Sequence, residues 1–89
     1  MEYEEKILEA RNLLTGVQYR ELERSGKLID KKKYRWIMTQ EVFDGVVEVF
    51  SRINNRHISK DADEIELWGI AIEIRENTPF NTIGLIDVQ

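Results

Sequence analysis

A chain of 89 residues, 42% apolar and 34% charged, has room for one core and no second domain, and is too apolar for disorder throughout. It contains no cysteine, which excludes disulfides, thiolate catalysis and thiolate zinc sites and fits a reducing compartment. The net charge of −4 disfavours nonspecific binding to duplex nucleic acid, whose affinity comes from neutralising phosphates.

That charge is unevenly divided. Residues 1–35 hold nine Lys/Arg against seven Asp/Glu (+2), and residues 36–89 hold four against ten (−6), a division suited to head-to-tail or heterotypic protein contacts. The start, Met-Glu-Tyr-Glu-Glu-Lys, is acidic where a signal peptide is basic, so a cytoplasmic protein is expected. The longest uncharged apolar stretch, Leu67 to Ile72, is far short of the roughly 20 residues that span a bilayer. No membrane association is expected.

The first segment places Tyr3, Ile7, Ala10, Leu14 and Val17 on one stripe of a helix, with early glutamates suited to the positive end of the helix dipole. Thr15-Gly16 is a candidate interruption. A further turn or two through Val17, Tyr19 and Leu22 stops at Ser25-Gly26, Gly being a good residue just past a helix end. Asp30-Lys31-Lys32-Lys33 reads as an exposed turn. Tyr34, Trp36 and Met38 alternate as in a strand. Thr39 then stands at an N-cap, with Val42, Phe43, Val46, Val47, Phe50 and Ile53 at helical spacing, so a helix is predicted over 40–53.

Residues 54–64 are polar and read as a loop. Ile65 and Leu67 alternate with glutamates, and Ile70, Ile72 and Ile74 alternate again in shifted phase. Trp68-Gly69 sits at the slip, and a β-bulge is the expected device. Residues 76–81 supply the turn chemistry of a hairpin loop, and Ile83, Leu85, Ile86 and Val88 form the last strand. The predicted fold is α+β: one domain over 1–89, with a helical segment over 1–26 and a β-α-β-β module over 34–88. Its sheet is expected to have three mostly antiparallel strands packed against two or three helices.

The inventory of reactive groups is poor. His57 is the only histidine, so neither a triad nor a zinc site can be assembled, and the five glycines form no phosphate-cradling loop. Asp61, Asp63, Glu64 and Glu66 lack the spacing of a calcium loop. No catalytic residue, metal site or cofactor is expected, and the chain is read as a non-enzyme. Two features remain. Lys31, Lys32 and Lys33, followed by Tyr34 and Trp36, join positive charge to aromatics as single-strand binders do, and could also contact an anion. Phe80, between Pro79 and Asn81, is an aromatic on a turn and a candidate contact anchor.

Read in order, Trp36-Ile37-Met38-Thr39, the helix with Val42 and Val46, Leu67-Trp68-Gly69-Ile70, the turn with Pro79, and Ile83-Gly84-Leu85-Ile86-Asp87 resemble the A-domain region of tailed-phage major capsid proteins. Short phage and prophage proteins look similar. The match spans roughly residues 34 to 88, with Ala71 standing where that pattern prefers Pro and Gly84 displaced from its Gly-Asp pairing. A chain of 89 residues cannot include the spine helix, extended loop and N-terminal arm of a shell subunit. The resemblance implies phage ancestry and a module whose role is contact between proteins. The expectation is a phage- or prophage-type accessory protein that binds another protein through Pro79, Phe80 and Asn81. The partner would be a copy of itself, giving a homo-oligomer, or a host or virion component. The alternative is a small-ligand or nucleic-acid binding module using Lys31–Lys33.

Overall fold

The computed structural model describes residues 2–55, 58, 61, 65–78 and 82–88. The first helix, α1, runs Glu2–Ser25 without a break. The expected interruption at Thr15-Gly16 is absent because both residues face outward. The Thr15 hydroxyl donates to the Arg11 carbonyl at 2.9 Å, inside the helix, and Gly16 has nothing near its Cα that needs it to be glycine. One exposed glycine costs a helix about 1 kcal/mol, which a helix of this length absorbs. The end comes where expected, with Gly26 at φ 73° and its N–H donating to the Leu22 carbonyl at 2.9 Å. Ala10 is fully buried, and Ile7, Leu14 and Val17 pack beside it on the core.

A 3₁₀ turn, Lys31–Lys33, leads into β1, Tyr34–Met38. Thr39 caps α2, Gln40–Asn54, its hydroxyl accepting from the Val42 N–H at 3.3 Å, and Asn55 closes the helix in the left-handed conformation at φ 52°. Then come β2, Glu66–Leu67, β3, Ile70–Ile74, and β4, Gly84–Asp87.

The α+β class holds, but the sheet differs from expectation. Among the described residues it has four strands in the order β2-β3-β1-β4, and it is mixed. Strand β1 lies parallel to β3, with Trp36 beside Ile72, and antiparallel to β4, with Trp36 beside Leu85. After α2 the chain enters β2, which runs opposite to β3, and it is the reversal between β2 and β3 that sets β3 parallel to β1. Strands β3 and β4 lie on opposite sides of β1 and do not pair, so the expected hairpin between them is not formed. At the exit of β3 the Arg75 N–H donates to the Met38 carbonyl at 2.9 Å. The hairpin lies earlier, between β2 and β3, where Leu67 pairs with Ile70. Trp68 and Gly69, at φ 53° and 81°, form its two-residue turn, so the phase slip is a reversal of the chain and not a bulge.

Period 2 sorts the strand residues. Trp36, Met38, Ile70 and Ile72 join Ala10, Phe43, Val46 and Val47 in one core, which places both helices on the same side of the sheet. Trp36, Phe43, Met38 and Ile70 are its largest fully buried side chains. The Trp36 indole N–H is satisfied by the Leu67 carbonyl at 2.9 Å. Arg35, Ile37, Ala71 and Glu73 turn to the opposite face.

Candidate interaction surfaces

Helix α1 carries apolar side chains on two faces. Beyond the buried stripe, Leu8 is 60%, Tyr19 65% and Leu22 43% exposed. At 100° per residue these three fall within one sector of the helix, together with Thr15 and away from the core stripe. The sequence reading assigned Tyr19 and Leu22 to the helix but not to this second face. Tyr19 and Leu22, eleven and fourteen residues on from Leu8, carry the signal.

The last turn of α1 is held by charge. Arg24 donates to the Glu21 carboxylate from Nη2, at 2.8 and 2.9 Å, and from Nε, at 3.2 Å, and the Ser25 hydroxyl donates to it at 3.0 Å. The Arg24 hydrogen bonds, with that of Ser25, hold the Glu21 carboxyl below the usual carboxylate value, and Lys33 adds a weaker attraction. The basic turn is thus brought alongside the end of α1, a juxtaposition the sequence did not disclose. Ile29, buried, is fastened there by its N–H donating to Gln18 Oε1 at 3.1 Å.

Lys31, Lys32 and Lys33 are exposed, as expected. Asp30 caps their turn by accepting from the Lys32 N–H at 3.0 Å. Lys31 lies across the β2–β3 hairpin, close enough that a Cβ on Gly69 would stand 3.1 Å from its Cδ. The aromatics that follow do not flank the lysines as a stacking platform: Trp36 is fully buried, and Tyr34 is half-buried against the core.

Trp68 stands at the rim of an apolar cleft of about 420 Å³ between α2 and the hairpin, lined by Val46, Phe50, Ile58, Ile65 and Ile72. Its left-handed backbone is unusual for a bulky residue. The indole is steadied by an edge contact on Trp36, ring centroids 6.0 Å apart.

Pro79, Phe80 and Asn81 lie outside the described residues, as do His57, Asp63 and Glu64. Asp61 and Glu66 are exposed, and among the described residues no group of acidic or histidine side chains is arranged to hold a metal ion. No described helix is long and apolar enough to cross a membrane. No protein family, curated protein or solved structure matches this chain.

Proposed function

We propose that this chain is a phage- or prophage-type accessory protein that acts by binding another protein in the host cytoplasm or on the virion. The ancestry rests on the capsid-like series over residues 34–88. The binding role is carried by one observation, the outward apolar face of α1, where Leu8 and Tyr19 are 60% and 65% exposed. Exposed apolar side chains aligned on one helix face suit a contact with another protein surface. The 79–81 loop belongs to the same reading as a second contact.

Affinity capture from host lysate, with and without nuclease, tests the proposal. A stoichiometric protein that survives nuclease, weakens with Phe80→Ala and is lost with Tyr19→Asp is the expected result. Nucleotide or nucleic acid that co-purifies, is lost when Lys31, Lys32 and Lys33 are changed to Glu, and ignores Tyr19→Asp would favour the basic-turn alternative instead.

A further inference from the structure

The outward face of α1 has a property that narrows its partner. Leu8, Thr15 and Leu22 follow one another at intervals of seven, the repeat that keeps a helix seam facing a second helix. Thr15, at the centre, is small enough for two helix axes to approach. The ends differ in charge. Residues 2–9 hold four glutamates and one lysine (−3), whereas residues 18–33, which include the basic turn docked beside the last turn of α1, hold six Lys/Arg and three Asp/Glu (+3). Arg52 of α2, 3.8 Å from Glu4, offsets one charge of the acidic end and leaves −2 there, whereas Arg24 with Glu21 at 2.8 Å is already within the +3 of the basic end.

We infer that the partner of this face is a second copy of the chain, docked through an antiparallel pair of α1 helices with the two-fold axis at Thr15. The inference rests on the protein-binding reading above and adds the identity of the partner. Rotation about Thr15 sets Leu8 opposite Leu22 of the second copy and lays each acidic end beside a basic end. The surface is complementary to itself under that rotation, as a closed isologous dimer requires. A parallel pair would bring like-charged ends together. The 24 residues of α1, about 36 Å at 1.5 Å per residue, run nearly the 38 Å of the longest molecular dimension, and Leu8, Thr15 and Leu22 are all exposed along it.

Because the chain has no cysteine, single thiols report the geometry. Thr15→Cys should cross-link to itself under mild oxidation. Leu8→Cys alone should not, because its two copies would stand about 21 Å apart along the seam, beyond disulfide reach. An equimolar mixture of Leu8→Cys and Leu22→Cys should cross-link as the mixed pair. Sedimentation equilibrium of the wild type should give a dimer that weakens as salt rises from about 50 to 500 mM, and Leu22→Glu should raise the dimer dissociation constant more than about tenfold. A wild type that stays monomeric at several hundred micromolar would overturn the inference while leaving binding to a different protein standing. Self-linking of Leu8→Cys would overturn the antiparallel arrangement, and a dimer indifferent to Leu22→Glu would place the interface elsewhere.

Discussion

Gly69 occupies a backbone conformation that its neighbours enforce. At φ 81° an L side chain is strained, and Lys31 closes the space above it. Gly69→Ala should therefore lose about 1–2 kcal/mol in urea denaturation, and Lys31→Ala should recover only the steric share. Phe43, fully buried, should cost roughly 3–5 kcal/mol when cut to Ala, whereas Phe50, half-buried at the cleft, should cost less; a larger loss at Phe50 would contradict the packing. Glu21 offers a pH test. Its carboxyl ionises below the usual value, so its stabilising pairing with Arg24 is present above the unfolded pKa and fades as pH falls through the lowered one. In an NMR titration the Glu21 midpoint should rise toward the ordinary value in Arg24→Ala.

At the scale of elements, two helical glycines make opposite forecasts. Gly16 faces open space, so Gly16→Ala should stabilise α1 by roughly 0.5–1 kcal/mol. On α2, a Cβ at Gly45 would stand 2.5 Å from the Tyr3 ring, so Gly45→Ala should destabilise by thermal melting, and should turn neutral or favourable in a Tyr3→Ala background. The elements themselves were largely legible. The stripe from Tyr3 to Val17, the alternation of Tyr34, Trp36 and Met38, and the Thr39 cap with its apolar series each appear where local pattern puts them. Reversal at Trp68-Gly69 was misread because a two-residue turn is ordinarily announced by Asn-Gly or Asp-Gly, and a bulky aromatic at its first position gives no such signal. Helix α2 has a second cap that no local pattern could announce: the Glu76 carboxylate accepts from the Gln40 N–H at 2.8 Å across 36 residues of sequence. Strand order was illegible for the same reason. Alternation fixes which side of a strand is buried, not which strand lies beside it. Of the expected contact residues, the exposure of Lys31–Lys33 was legible, while the second apolar face of α1 was hidden among residues that suit either surface.

Over the whole molecule, one long helix sets the shape. The radius of gyration of 13.3 Å exceeds the about 12 Å expected for a domain of 89 residues, and the extents of 38 × 29 × 24 Å show the elongation along one direction. An elongated body offers more contact area side by side than end on, in keeping with the inferred seam.

The central position of β1 bears on how the chain is made. Both of its neighbours, β3 and β4, come later in the chain, from Ile70 onward. During synthesis at about 5–20 residues per second, β1 leaves the ribosome with two bare edges and keeps them until β3 and β4 have emerged. The helices can form as they appear, but the sheet cannot begin from the middle outward. A nascent chain stalled so that Gly69 has just cleared the exit tunnel should remain sensitive to protease, and protection should arrive in one step once β3 and β4 are free, with β1 held open to chaperones or a sister chain until then.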